Sequence, residues 1–462
     1  MKTLALGFIF SLTVLNAFSQ QDFKATALKH DLDSMVYYLE AAHPNPYYRY
    51  SRSDFYRDVE NVKQKLADGT DYISFYLMAQ KLAAKLQDGH IDFEIPLKQF
   101  EKDKAKAFPF KVALSINKPY IRLQQEVKLK YGTINKNTEI ISINGINGKR
   151  IVDDIVALVT GETADFRASY GSKAFSFYFD VLYPKKDSYE ISYNDHGSKG
   201  VVRVSPQDTL QAYSQQNSAS KAEQAINPFT LTFPAAKTAL MKLDDFQDLE
   251  KIKFFVDSVF SDLKNKKTEN LIIDLRNNLG GDSDVGDYLL QYLLFTPFRQ
   301  YDRVLEKNSQ LLKNRLLDHR KGKTLSPEDS ILLANRNGSL DTIKNQNEEI
   351  LQLPNRFGGK VYLLVSSQTF SSAADFAQAF CYYKRGKVIG EETGGLILSF
   401  GDIVSARLPE TGLPLVVSSK LYLNIGANEH DWHGVLPDIA CSGEEALQKA
   451  LDLIEHITKS KH

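Results

Sequence analysis

The sequence predicts an α/β protein of several domains, because three of its regions carry different residue patterns. Residues 20–100 repeat apolar side chains at helical spacing, which predicts an N-terminal helical module. Residues 105–205 contain short β-branched runs. In residues 228–455, predicted apolar strands alternate with amphipathic helices. Such alternation is typical of a largely parallel sheet that is covered on both faces. A chain of 462 residues is also too long for one ordinary domain.

Charge and composition exclude several classes of partner. The chain carries 57 basic and 57 acidic residues, so its formal net charge is zero. This balance argues against nucleic acid or an anionic membrane surface as the main partner. After the first residues, no apolar run reaches the roughly 18 residues that a membrane-spanning helix needs. We therefore expect a soluble protein without a transmembrane segment.

The first 19 residues predict a secretory signal peptide. Lys2 precedes an apolar stretch over residues 4–15, and residues 17–19 (Ala-Phe-Ser) offer small side chains at the two positions that a signal peptidase reads. We therefore expect a bacterial protein that is exported through a cleaved signal peptide to the periplasm or the cell exterior.

The cysteines and histidines predict neither a disulfide framework nor a metal site. Cys381 and Cys441 are the only cysteines, and a single pair is no framework. Cys381 falls inside a predicted helix, so a buried free thiol is expected. No Cys/His cluster has the spacing of metal ligands, and we predict no metal and no cofactor.

The strongest candidate for chemistry is the segment 361–379, VYLLVSSQTFSSAADFAQA. It predicts a buried strand, a tight turn and a helix whose first residues are Ser371 and Ser372. A hydroxyl at this place lies among unpaired N–H groups at the positive end of the helix dipole, which suits a nucleophile and an oxyanion. The simpler interpretation is that one of the serines only caps the helix.

A second candidate is a glycine turn after another buried strand, in the segment 271–282. Gly280 and Gly281 follow Arg-Asn-Asn there, and glycine permits both positive φ and close backbone approach. No Gly-Lys-Ser/Thr follows, so this is not a phosphate loop. If the strand neighbours the strand before the serines, N–H groups from both turns converge on one oxygen and form an oxyanion hole. A plain strand-to-helix turn is the alternative.

A third candidate is His90, which follows an Asp-Gly turn between a predicted helix and a short strand. A histidine at such a junction can project into a cleft and act as a general base. A histidine on a surface turn is the alternative interpretation.

Five motifs occur in the order DGHIDF, LIIDLRNNLGG, QTFSSAAD, VIGEETGG and HGVLPDI. Together they resemble the serine peptidase family of the C-terminal processing (tail-specific) proteases, the tricorn core protease and the retinoid-binding-protein repeats. The resemblance covers most of the chain after the signal peptide. It implies a crotonase- or ClpP-like spiral of ββα units over residues 228–455 and a PDZ-like domain over residues 105–205. Within the α/β region, the polar stretch at 301–356 interrupts the alternation of strands and helices, and its length predicts a helical insertion or a lid.

The resemblance also implies which serine is the nucleophile. The family motif Ser-Ala-Ser-Glu corresponds to Ser372-Ala-Ala-Asp, which favours Ser372 over Ser371. Leu396 stands where the processing proteases carry a catalytic lysine. Because leucine cannot take a proton, a Ser–Lys dyad is excluded, and the chain is similar to the tricorn-like branch.

In that branch a histidine from the Asp-Gly-His stretch is the base, and His90 matches it. The branch places an acid just before the Gly-Val-x-Pro-Asp motif, where Asp431 is the first choice and Glu429 the second. The resemblance thus implies a serine endopeptidase that works through an acyl-enzyme. The amides expected to bind the oxyanion are those of Gly280 or Gly281 and of Ala373.

The expected substrate is a peptide or protein, and a PDZ-like domain can bind the C-terminus of a peptide by strand addition. Two other functions stay open. One is a catalytically weak or inactive family member that only binds peptides or another ligand. The other is an esterase with the same Ser–His pair, although no Gly-x-Ser-x-Gly elbow of the α/β-hydrolases is present.

Overall fold

The computed structural model describes residues 22–96, 108–129, 132–183, 186–205 and 228–459. The predicted signal peptide therefore lies outside the described residues. Within these ranges the chain is a mixed α/β protein with several sheets, which confirms the predicted fold class. In the described part of the chain, no helix is long and apolar enough to cross a membrane. Both cysteines are free thiols.

The N-terminal region consists of three helices and one short strand. They are α1 (Ala25–Ala42), α2 (Arg52–Lys65), α3 (Tyr72–Lys85) and β1 (Asp92–Phe93). The Ser51 side chain accepts a hydrogen bond from the first turn of α2, and the Asp71 side chain does the same for α3. These caps satisfy backbone N–H groups that have no partner within the helix.

The β-rich region, residues 108–205, contains eight described strands and three helices. In chain order they are β2 (Val112–Leu114), β3 (Ile121–Leu123), β4 (Val127–Leu129), β5 (Gly132–Ile134), β6 (Glu139–Ile143), β7 (Ile146–Asn147), α4 (Gly148–Val156), α5 (Ala164–Lys173), α6 (Phe175–Leu182), β8 (Tyr189–Asp195) and β9 (Ser198–Val204). Five strands form one sheet in the order β2-β3-β6-β8-β9, with β7 paired to β6. Asn144 and Gly145 join β6 to β7 with φ of 52° and 79°, the hairpin turn that an Asn-Gly pair favours.

The remaining elements form the α/β core. They are β10 (Phe229–Ala235), β11 (Thr238–Leu243), α7 (Leu249–Asn265), β12 (Asn270–Asp274), α8 (Asp284–Leu293), β13 (Tyr301–Lys307), α9 (Gln310–His319), α10 (Pro327–Ala334), β14 (Leu340–Lys344), β15 (Lys360–Val365), α11 (Ser372–Tyr382), β16 (Lys387–Gly390), β17 (Leu398–Arg407), β18 (Pro414–Asn424), β19 (Ile439–Ala440) and α12 (Ala446–Lys459).

The central sheet of this core has the order β10-β11-β12-β15-β16-β19, and all its pairs except β10–β11 are parallel. In the β12–β15 pair, Asp274 lies opposite Leu364. The carboxyl ends of these two strands therefore lie side by side. This register brings the glycine turn and the serine turn to the same edge of the sheet, as the sequence predicted.

A second sheet has the order β1-β18-β13-β14, with β17 also paired to β18. The segment predicted as an insertion thus supplies β13, which pairs with β18 inside this sheet. Near the beginning of β18, β1 pairs with this strand through Asp92 and Phe93. Since His90 lies two residues before β1, this pairing attaches the Asp-Gly-His turn to the core.

Candidate active site

Ser371 lies at the sharp turn between β15 and α11, with φ of 50° and ψ of −134°. A non-glycine residue rarely adopts this conformation, and it persists only where the surroundings impose it. Two glycines pack against the turn. A Cβ on Gly280 would lie 2.8 Å from Ser371 Cβ, and a Cβ on Gly395 would lie 2.8 Å from the Ser371 nitrogen. Residues without a side chain are therefore needed on both sides of this serine.

His90 contacts this serine directly. Its Nε2 lies 3.2 Å from Ser371 Oγ, which is hydrogen-bonding distance. The imidazole stacks on the ring of Phe370 at a centroid separation of 5.0 Å. The side chain is 17% exposed, so the ring is largely shielded from water and its position is fixed by packing.

The structure gives Ser372, the predicted nucleophile, a different environment. Ser372 is 3% exposed, and its Oγ has no hydrogen-bond partner. It is the first residue of α11, whereas Ser371 precedes the helix and is half-buried. The structure therefore brings His90 together with Ser371 and not with Ser372. The sequence does not reveal the positive φ at Ser371, which decides which hydroxyl reaches the histidine.

Asp88 anchors the turn that carries His90, and it is fully buried. Its Oδ1 accepts a hydrogen bond of 2.8 Å from the His90 backbone N–H and lies 3.5 Å from His90 Nδ1. Its Oδ2 lies 2.6 Å from Ser418 Oγ and 2.9 Å from His43 Nε2. Because His43 Nδ1 accepts from the Asn45 backbone N–H, the proton of a neutral His43 is on Nε2 and is donated to Asp88.

These contacts set the charges behind the candidate base. Burial alone would raise the pKa of Asp88, but the hydrogen bonds from His43 and His90 outweigh it and hold this pKa well below its usual range. Burial lowers the pKa of His43 despite Asp88 and keeps it neutral. At His90 the nearby Asp88 carboxylate outweighs burial and raises the pKa. An imidazolium at His90 is therefore stabilised.

The two acids that the resemblance favoured lie elsewhere. Asp431 Oδ2 accepts hydrogen bonds from the Asn428 backbone and side chain, at 2.9 and 2.6 Å. The Glu429 side chain is 77% exposed and pairs with Arg303 at 3.0 Å. Asp431 thus binds within its own loop and Glu429 binds a residue of β13, and the structure brings neither of them to His90.

Asp88 does lie beside His90, although sequence reasoning treated it only as part of a turn. The signal was present in the Asp-Gly-His motif itself. An aspartate two residues before a histidine can accept its backbone N–H and face its ring at the same time. What the motif could not show is the burial that makes Asp88 different from an ordinary turn aspartate.

Two of the three predicted oxyanion donors are occupied. The Gly280 N–H donates to Asn278 Oδ1 at 2.8 Å. The Ala373 N–H donates to the Phe370 carbonyl at 3.2 Å. Neither amide is free to bind a developing oxyanion.

Two neighbouring amides are free. The N–H groups of Gly281 and Ser372 donate no hydrogen bond to another described group. They belong to adjoining backbone segments, since a Cβ on Gly280 would lie 2.9 Å from the Ser372 nitrogen. The glycine turn therefore lies directly against the first turn of α11, next to Ser371.

The β-rich region also contributes to the site. Phe166 of α5 stacks on Phe370 at 4.3 Å, and Phe370 in turn stacks on His90. Glu162, just before α5, is 3% exposed, and both of its carboxyl oxygens lack a hydrogen-bond partner. Burial and the charge of Asp88 raise the pKa of Glu162 to about 8. Sequence reasoning missed this residue because it lies in the predicted PDZ-like domain, far along the chain from His90.

A polar cavity of about 630 Å³ lies between the β-rich region and the core. Its wall includes Thr163 and Ser169 from the β-rich region, and Arg276 and Gln368 from the core. Gln368 lies three residues before Ser371. The cavity therefore approaches the serine turn from the junction of the two regions.

Comparison with known proteins finds a matching family model and several similar structures. Residues 237–441 match the model of peptidase family S41. Mature CPAF has a similar structure, with a TM-score of 0.61 at 14% identity, over 91% of this chain and 94% of that one. For CPAF complexed with lactacystin the TM-score is 0.61 at 15% identity, and the match covers 94% of this chain and 98% of that one. For the photosystem II D1 C-terminal processing protease the TM-score is 0.46 at 15% identity, and the match covers 90% of this chain and 94% of that one.

The likeness to CPAF extends over nine tenths of both chains and shows a shared fold. The family match confirms the resemblance that the motifs carried, and with it the predicted enzyme class, a serine-type peptidase. Over residues 237–441, this chain is similar to peptidase family S41, the family that its motifs resemble.

Proposed function

We propose that this chain is an exported serine endopeptidase in which Ser371 is the nucleophile, His90 the general base and Asp88 the acid that positions the base. The observation that carries this proposal is the distance of 3.2 Å between His90 Nε2 and Ser371 Oγ. It occurs at a strained strand-to-helix turn, the type of turn that exposes a nucleophilic hydroxyl at the edge of a sheet.

The reaction begins with attack of Ser371 Oγ on the carbonyl carbon of the scissile peptide bond. His90 Nε2 takes the hydroxyl proton in the same step. The free N–H groups of Ser372 and Gly281 donate to the oxygen of the tetrahedral intermediate, where negative charge develops. His90 then gives its proton to the leaving amine, and a water molecule hydrolyses the acyl-enzyme with the same base.

Asp88 acts through His90. In the neutral ring that this reaction requires, Nε2 must be unprotonated, so the proton is on Nδ1 and faces Asp88 Oδ1 at 3.5 Å. This distance is long for a hydrogen bond, and such contacts often tighten when substrate is bound. As the ring becomes an imidazolium, the buried carboxylate stabilises its charge.

The proposed substrate is a peptide or protein chain that reaches Ser371 through the polar cavity between the β-rich region and the core. The β-rich region is proposed to be a PDZ-like domain, in which strand addition binds the C-terminus of the substrate. The position of Phe166 against Phe370, next to His90, supports a direct link between this region and the catalytic centre.

A fluorophosphonate probe, which labels activated serines, tests the proposal with a matched pair of variants. Ser371→Ala should abolish labelling. Ser372→Ala should label like the wild type, because this side chain makes no hydrogen bond and the variant keeps the backbone N–H. Labelling that survives in Ser371→Ala would refute the assignment. A wild-type protein that binds peptides but never labels would instead be a non-catalytic binding protein.

A further inference from the structure

Three potential metal ligands meet behind His90, on the side of the ring away from Ser371. Asp88, His90 and Glu162 each offer a ligand atom, and these atoms all lie within 4.8 Å of one another. They come from two distant segments, the turn before β1 and the loop before α5. No ligand spacing in the sequence could therefore indicate this cluster.

The cluster contains buried polar atoms without partners. Both carboxyl oxygens of Glu162 and the Nδ1 of His90 are buried, and none makes a hydrogen bond. Glu162 is 97% buried and has a second carboxylate, Asp88, as its neighbour. Buried polar groups in folded proteins are nearly always satisfied, so this concentration of unsatisfied atoms points to a ligand that binds between them.

Charge identifies that ligand as a divalent cation. Metal ligands bind in their deprotonated forms, and in those forms the two carboxylates and the neutral imidazole carry two negative charges, which one divalent ion neutralises. An anion would add to the charge of Asp88, and a neutral molecule would supply no positive charge to the buried Glu162 carboxyl group.

Geometry and ligand type favour Zn²⁺. The distance of 3.5 Å between His90 Nδ1 and Asp88 Oδ1 is close to the roughly 3.3 Å that separates two ligands of a tetrahedral zinc ion with bonds of about 2.0 Å. One imidazole nitrogen and two carboxylate oxygens are common zinc ligands, whereas Mg²⁺ and Ca²⁺ prefer oxygen alone.

Gly89 leaves room for this arrangement. A Cβ at this position would lie 2.6 Å from the Phe370 ring and 3.2 Å from Glu162 Oε2. The absence of a side chain lets the Glu162 carboxyl group approach the turn that carries the other two ligands.

We propose that Asp88, His90 and Glu162 form an inhibitory Zn²⁺ site in which His90 binds the ion through Nδ1. A metal ion on Nδ1 leaves the ring proton on Nε2. That nitrogen then has no lone pair with which to accept the proton of Ser371, so the base is blocked. The inhibition rests on the proposed function, whereas the binding of zinc does not.

The test is calorimetric titration of the EDTA-treated, dialysed protein with zinc chloride, alongside peptide hydrolysis. We expect one zinc ion per chain, and inhibition that EDTA reverses. Glu162→Gln should weaken binding by about 100-fold or more, because a direct ligand contributes at least as much as the groups that orient ligands. His90→Gln should weaken binding similarly and provides a second variant if Glu162→Gln does not fold.

A control addresses the exposed His433–Asp431 pair, whose atoms lie 3.9 Å apart and could also bind zinc. His433→Ala should bind zinc as the wild type does. The proposed zinc site is wrong if the wild type and Glu162→Gln bind zinc with equal affinity, or if the wild type does not bind zinc.

Ser371→Ala separates the two proposals, because Ser371 is not a ligand and this variant should still bind zinc. If zinc binds as expected but Ser371→Ala retains hydrolysis, the metal site is supported and the assignment of Ser371 as the nucleophile is wrong. If hydrolysis depends on Ser371 and zinc does not bind, the proposed metal site is wrong and the proposed nucleophile is supported.

Discussion

Two regions of this protein carry candidate acids for His90, the proposed base, and they differ in almost every physical respect. The Asp88 carboxylate is fully buried and receives hydrogen bonds from His43, Ser418 and the His90 backbone. In the loop that carries Glu429 and Asp431, the carboxylates are partly or largely exposed, and they bind Arg303 and Asn428 respectively. Charges in the first region interact through a low dielectric, whereas those in the second are screened by water and salt. The difference supports the proposal that the buried Asp88, rather than an acid close to the Gly-Val-x-Pro-Asp motif, positions His90.

Asp88→Asn tests this comparison with the largest expected effect. By analogy with the aspartate of other Ser–His–Asp sites, kcat/KM should fall by about 10⁴, because the amide no longer fixes the ring proton on Nδ1. Steady-state kinetics on a peptide substrate measures the loss. Asp431→Asn is the matched control and should change kcat/KM by less than about threefold, as a screened surface charge does. An equal loss of kcat/KM in both variants would instead support an acid in the exposed loop.

Gly89→Ala should have the next largest effect, because the new Cβ would lie 2.6 Å from the Phe370 ring. Displacing that ring disturbs the stack that positions His90, and an error of about 1 Å in a catalytic group can cost roughly 100-fold in rate. Gly401→Ala provides the control, since its Cβ would lie 3.9 Å from the His90 ring, an ordinary contact distance. A kcat for Gly89→Ala equal to that of the control would contradict the prediction.

Ser418→Ala removes one of the hydrogen bonds that the buried Asp88 carboxylate accepts. The unfolding free energy should fall by about 1.5–3 kcal/mol, the usual range for a hydrogen bond to a charged group, and kcat should fall several-fold. The neighbouring Ser419 is equally buried but donates to the Asp402 carbonyl at 2.5 Å. Ser419→Ala should therefore lose about 1 kcal/mol of stability and keep its kcat. Urea unfolding and kinetics of both variants distinguish a catalytic network from ordinary packing.

Asp287 extends the comparison to a buried carboxyl group that has no cationic partner. Burial raises its pKa to about 7, above the roughly 3.9 of an unfolded chain. The folded protein thus holds this proton more tightly, and stability falls as pH rises between these two values. Asp287→Asn should melt roughly 1–3 °C above the wild type at pH 8. The difference should shrink as the pH is lowered towards 4, and a difference independent of pH in thermal melts would contradict this account.

The sequence was sufficient for the features that depend on local pattern. Apolar runs and turn residues predicted the parallel strands β12 and β15, and so the meeting of the glycine turn with the serine turn. The features it could not supply depend on contacts between distant segments. The φ of Ser371 is imposed by Gly280 and Gly395, and the burial of Asp88 requires partners from the end of α1 and from β18.

The same limit applies to the β-rich region. Glu162 and Phe166 reach the catalytic centre only because α5 packs beside the serine turn, and the side chain of Phe370 joins the two regions. A pattern of helices and strands does not specify how one region packs on another. The proposed acid, the proposed oxyanion donors and the third ligand of the proposed zinc site could for this reason not be predicted from the sequence.

The two residues of the proposed dyad are 281 positions apart in the chain. The histidine is attached to the core through β1, a strand of two residues that pairs with β18. A nascent or unfolded chain therefore has a serine and a histidine but no means of cleaving its neighbours or itself. Hydrolytic power is acquired only when the first and last thirds of the polypeptide have met, so completion of folding is itself the safeguard against premature proteolysis.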